Sequence, residues 1–118
     1  MTLKDIKEIL DAEIICCVSL DLEVTCAGGS DMMSDVLAFG LPGLLLLTGL
    51  TNAQSVRTAD IIDAKAIVYV RGKKPDEGGI ELAKLKGIPL LSTRHMMYTA
   101  CGKLYRAGLP GVGEAKDG

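Results

Sequence analysis

Short apolar runs alternate with amphipathic stretches through the second half of the chain. Leu44–Leu47, Ala66–Val70 and Ile88–Leu91 are such runs, and each ends in a polar turn. The turns are Thr48-Gly49-Leu50-Thr51-Asn52, Arg71-Gly72-Lys73-Lys74 and Ser92-Thr93-Arg94-His95. Beyond each turn the apolar positions recur every three or four residues, the period of a helix buried on one side. Val56, Ala59 and Ile62 predict a helix from about Asn52 to Asp63, with Thr51 and Gln54 as a capping box. Ile80, Ala83 and Leu82 predict a second helix, from Pro75 or Asp76 to Lys86, stopped by Gly87. Met97, Cys101, Leu104 and Tyr105 predict a third, from about Arg94 to Arg106. Strand, loop and helix in series build a parallel sheet. Pro89 suggests an edge or a strand start for the last run.

The first half is less regular. Thr2–Leu10 reads as a helix capped by Thr2, with Ile6, Ile9 and Leu10 on one face. Glu13–Leu20 and Leu22–Ala27 are β-rich runs that Asp21 would join as a hairpin or a bent pair. Ser30–Phe39 follows as a helix capped by Ser30 or Asp31, and Gly40-Leu41-Pro42-Gly43 ends it. The expected fold is an α/β three-layer α/β/α sandwich with a mainly parallel central sheet of four or five strands. Residues 1–109 form a single domain in this reading, and the Gly-, Pro- and charge-rich residues 110–118 form a disordered tail.

Composition narrows the function. The chain has 118 residues, enough for one core, and its aromatic residues are one Phe, three Tyr and no Trp. The formal net charge of −2 argues against nucleic-acid binding through bulk positive charge. No apolar stretch approaches the ~18 residues that span a bilayer. The N-terminus lacks a basic region leading into an apolar one, so a cytoplasmic protein is expected, with no membrane partner. The cysteines Cys16, Cys17, Cys26 and Cys101 show no C-x-x-C spacing. Cys16 and Cys17 would point to opposite faces of a strand, which disfavours a metal cluster, so no metal site or cofactor is expected.

The strand-end loops carry the candidate chemistry, because ligands of parallel sheets gather at the carboxyl ends of the strands. Gly49 permits close approach of backbone to a ligand, and Thr51 and Asn52 would begin a helix whose free N–H groups attract anions. Arg57, Arg71 and Lys73 would add positive charge, with Thr48 supplying a hydroxyl. Asp31 and Asp35 share a helix face, as partners of the helix dipole or as a hard-cation pair. His95 has no evident nucleophile or orienting partner, so it reads as a surface or capping residue. Met32-Met33 and Met96-Met97 suit an adaptable contact surface.

Taken together, the strings Ser30–Ala38, Leu46–Asn52, Val56–Ala59, Arg71–Asp76 and Gly87–Thr93 resemble the small stand-alone DRTGG-domain proteins of anaerobic bacteria. The resemblance covers roughly Thr2 to Leu109, although the chain has no literal Asp-Arg-Thr-Gly-Gly string. It implies a fold similar to the N-terminal domain of HPr kinase/phosphorylase. DRTGG domains accompany CBS domains in regulated pyrophosphatases and occur in long phosphotransacetylases, where they look like regulatory, dimer-forming modules. The stand-alone members often lie near iron-only hydrogenase genes.

The resulting expectation is a non-catalytic regulatory domain, a homodimer. It would sense a small anionic metabolite or nucleotide through Thr48, Gly49, Thr51, Asn52, Arg57, Arg71 and Lys73. Two alternatives accompany it: an accessory interaction module of a hydrogenase or redox complex, and an iron–sulfur-binding protein. No nucleophile–base pair supports an enzyme.

Overall fold

The computed structural model describes residues 1–17 and 19–115. Its elements run α1 (Leu3–Leu10), β1 (Glu13–Cys16), β2 (Cys26–Gly29), α2 (Met33–Phe39), β3 (Leu44–Thr48), α3 (Ala53–Ile61), β4 (Ala66–Tyr69), α4 (Glu77–Lys86), β5 (Leu90–Ser92), α5 (Met97–Arg106) and α6 (Val112–Ala115). The strands form one five-stranded sheet in the order β1-β5-β4-β3-β2. β2 to β5 are parallel, and β1 joins β5 antiparallel. The fold is therefore the expected three-layer α/β sandwich.

Alternation along the central strands divides the core. Leu45, Leu47, Ala66 and Val68 face α1 and α5, where they meet Ile6, Leu10, Ala100 and Leu104. Leu44, Leu46, Ile67 and Tyr69 face the other layer and meet Val36, Val56, Ala59 and Ala83. All four leucines of β3 are fully buried, each contributing roughly 1.5–3 kcal/mol. This two-sided burial explains why β3 and β4 are continuous apolar runs without a polar face.

Several local expectations need correction. β1 and β2 do not pair, because they occupy opposite margins of the sheet. Residues 20–24 are drawn instead to the start of the chain: the Leu3 N–H donates to the Leu22 carbonyl, and Thr2 bridges Glu23. β5 is interior, so Pro89 marks a strand start only, its carbonyl accepting from Ile67 N–H. Neither Ser30 nor Asp31 caps α2, which begins after Met32 with no side-chain cap. Thr51 does not cap α3. Asn52 does, its side chain accepting from Gln54 N–H at 3.0 Å.

Of the expected tail at 110–118, residues 110–115 have defined structure and 116–118 lie outside the described residues. The Pro110 carbonyl accepts from Ala27 N–H, Gly111 bridges Ala27 in parallel, and α6 follows. No helix among the described residues is long and apolar enough to cross a membrane.

Candidate functional site: a three-loop clasp beside a polar groove

Parallel pairing of β2, β3 and β4 brings the loops after these strands side by side. The loop after β2 contributes Asp31, the end of β3 and the turn beyond it contribute Thr48 and Gly49, and the turn after β4 contributes Arg71. One oxygen of the Asp31 carboxylate accepts from the Gly49 backbone N–H at 2.5 Å and from the Thr48 hydroxyl at 3.2 Å. The other faces the Arg71 guanidinium at 3.7 Å. Thr48 Oγ1 also accepts from Leu50 N–H at 3.1 Å, which shapes the turn. A backbone amide, a hydroxyl and a guanidinium thus converge on one anionic group, and charge-assisted bonds of this kind are the stronger ones.

The backbone at Arg71 explains how its side chain reaches Gly49. Arg71 has φ 62° and Gly72 has φ 69°, a left-handed pair that reverses the chain sharply. A left-handed arginine is uncommon and costs on the order of 1 kcal/mol or more. Two bonds to the loop after β5 hold it: Arg71 N–H to the His95 carbonyl at 2.8 Å, and Gly72 N–H to the Thr93 carbonyl at 2.9 Å. Ser92 Oγ donates to the Lys73 carbonyl at 2.6 Å and completes the tie.

Beside this clasp lies a groove of about 590 Å³, lined by Asp11, Glu13, Gly72, Lys74, Ser92, Thr93, Arg94 and His95 together with Leu10. Buried Thr93 forms part of its wall and donates to the Leu10 carbonyl at 2.7 Å, fastening α1 to the end of β5. Lys74 is paired with Glu13 at 2.8 Å.

The predicted site residues divide accordingly. Thr48, Gly49 and Arg71 come together in the clasp. Thr51 is adjacent but acts through its carbonyl, which accepts from Asp76 N–H at 3.0 Å. The Asn52 side-chain oxygen is used by its helix cap. Arg57 is exposed on α3, and none of the clasp's bonds includes it. Lys73 is exposed, and it is its neighbour Lys74 that lines the groove. Asp31, read from sequence as a dipole or cation-pair residue, is the centre of the clasp. His95 and Arg94 join the site through the groove.

The cysteines are arranged differently from expectation. Cys17 has φ 62°, just beyond β1, and this turns its thiol back to within 3.3 Å of the Cys16 sulfur. Burial, reinforced by the Cys17 contact, pushes the Cys16 thiol up to about 11. Cys26 lies in β2 at the opposite margin of the sheet, and Cys101 lies on α5. Among the described residues, no three His, Cys, Asp or Glu side chains gather into a metal-binding group.

No protein-family model and no curated protein matches the sequence. The fold is similar to a crystal structure of the CBS and DRTGG domains of the regulatory region of Clostridium perfringens pyrophosphatase, complexed with the activator diadenosine tetraphosphate. The two share 20% identity with a TM-score of 0.71, over 92% of this chain and 47% of that one. This chain therefore spans less than half the length of that neighbour. At this identity the likeness establishes the fold, an α/β arrangement also found in a nucleotide-activated regulatory region, and function must be argued from the site.

Proposed function

We propose that this protein is a non-catalytic, ligand-sensing regulatory domain that holds a small anion or nucleotide at the carboxyl ends of its parallel strands. The observation that carries this reading is the convergence of Gly49 N–H, the Thr48 hydroxyl and the Arg71 guanidinium on one carboxylate. Donors that hold a carboxylate in this way also suit a phosphate oxygen. The adjoining groove, with Lys74, Arg94 and His95 on its walls, offers room for the remainder of a nucleotide-sized ligand. The fold neighbour's regulatory region and its nucleotide activator lend support by analogy.

Thermal-shift screening against nucleotides and phosphorylated metabolites tests the proposal. A stabilising ligand whose effect disappears in Arg71→Gly is the expected result. A flat response across the panel, or one indifferent to that substitution, refutes it. The homodimer belongs to the same proposal. Tyr98 and Tyr105 are exposed on α5 beside a second cavity of about 610 Å³ against β2, a surface suited to a second copy. Sedimentation at several concentrations, with Tyr98→Ser as the variant, tests that part.

A further inference from the structure

The donors proposed to receive the ligand are already engaged. Asp31 occupies the place where Gly49 N–H, the Thr48 hydroxyl and Arg71 would meet an incoming anion. A phosphate and this carboxylate cannot share those donors, because two like charges at hydrogen-bond range repel strongly outside bulk water.

Asp31 also sits where its displacement has consequences. It stands two residues before Met33, the first residue of α2, and α2 starts without a side-chain cap. Ser30 and Met32 are tied to each other through Ser30 Oγ, which accepts from Met32 N–H at 3.0 Å. The Ser30 N–H is bound to the Leu47 carbonyl. Asp31 thus anchors the one-residue gap between a strand-end bond and an uncapped helix start. α2 is only seven residues long, with Met32 exposed at its N-cap and Leu37 exposed in its second half. Short, uncapped elements open at low free-energy cost.

We infer that Asp31 is a built-in competitor of the ligand, a latch that an anion must displace from the Gly49–Arg71 cradle, and that its release loosens the start of α2. This inference rests on the anion site proposed above. Ligand occupancy is thereby converted into a change at the start of α2, two residues beyond the latch. If the latch is closed about ten times as often as it is open, it weakens apparent affinity roughly tenfold. Removing the carboxylate restores that affinity.

Inorganic phosphate is the probe, and the Gly49 amide signal in heteronuclear NMR is the local readout. Wild type is compared with Asp31→Ala, and with Asp31→Asn as a variant that keeps the shape and loses the charge. Asp31 is half exposed (54% for its side chain), so both variants retain the core. In the absence of phosphate, Asp31→Ala moves the Gly49 amide to higher field and speeds amide exchange over residues 30–35. Phosphate then binds Asp31→Ala about tenfold more tightly than wild type, and in wild type it brings about the same increase in exchange. Equal affinity in the two proteins, or tighter binding by wild type, overturns the latch and leaves the anion site standing. Phosphate that leaves the Gly49 amide unmoved in every protein overturns the latch and the anion site together.

Discussion

The Arg71 guanidinium lies directly over Gly49. A β-carbon added to Gly49 would collide with Arg71 Nη2, and would lie 3.1 Å from Cζ. Gly49 is therefore required by what rests on it. Its backbone is not left-handed, so an alanine here meets only the end of a flexible side chain. Gly49→Ala is expected to push Arg71 off the clasp and change unfolding free energy by less than about 1 kcal/mol, the worth of an exposed ion pair. Anion-induced stabilisation should fall at least tenfold. Chemical denaturation together with thermal shift separates the two effects, and a large stability loss with intact binding would contradict the account.

Arg71 itself is predicted to trade stability for binding. Its left-handed φ of 62° suits glycine far better. Arg71→Gly relieves roughly 1 kcal/mol of backbone strain while losing an exposed pair of comparable or smaller worth. The variant should be as stable as wild type or slightly more so, and it should not respond to anions. Arg71→Ala keeps the strain and loses the pair, so it should be the less stable of the two. Urea titration of both variants checks the order.

Tyr69 links the core to the start of α3. Its hydroxyl lies 2.8 Å from Ser55 Oγ, and Ser55 Oγ donates to the Asn52 carbonyl at 2.9 Å. Tyr69 is thus the donor in the buried pair. Burial pushes its pKa up to about 12 from an ordinary value of 10. Below pH 10 the hydroxyl is neutral whether folded or unfolded, and its contribution is fully present. As pH rises from 10 to about 12 only the unfolded tyrosine ionises, so the contribution is lost. The stability difference between wild type and Tyr69→Phe should shift by roughly 2–3 kcal/mol across that window. Parallel denaturation curves for the two proteins from pH 9 to 12 would contradict it.

Asp76 serves the site from behind. Its side chain caps α4 through Gly79 N–H at 2.8 Å, and its own N–H holds the Thr51 carbonyl at 3.0 Å. Asp76→Ala should cost about 0.5–2 kcal/mol, as loss of a helix cap does. Since the backbone bond to Thr51 survives, anion response should persist once measured well below the lowered melting point.

Much of the architecture was legible because its signals are local. Leu44–Leu47 and Ala66–Val70 announce buried parallel strands, and Gly87, at φ 71°, stops α4 as a left-handed residue should. Val56, Ala59 and Ile62 are buried as their spacing predicts. The clasp was half legible: Thr48, Gly49 and Arg71 stand at strand ends where ligands gather. Asp31 was not. Its carboxylate meets residues 17 and 18 positions away, and a conventional role in capping or dipole pairing lay closer in the chain. The same reason hid the pairing of β1: its strand was legible, but its partner β5 lies far along the chain. Cys17 escaped because the strand periodicity that separates adjacent thiols fails at one left-handed residue.

The short bridge between Gly111 and Ala27 has a bearing on solubility. A parallel sheet ends in a strand whose unpaired amides and carbonyls invite another chain to add to it. Here Pro110 and Gly111 take up the free side of β2 at Ala27. The opposite margin is β1, four residues long, interrupted by a register shift and bearing the Lys74-paired Glu13. Among the described residues neither border presents a long, flat template, so a sheet with so apolar a centre is guarded against runaway strand-to-strand growth.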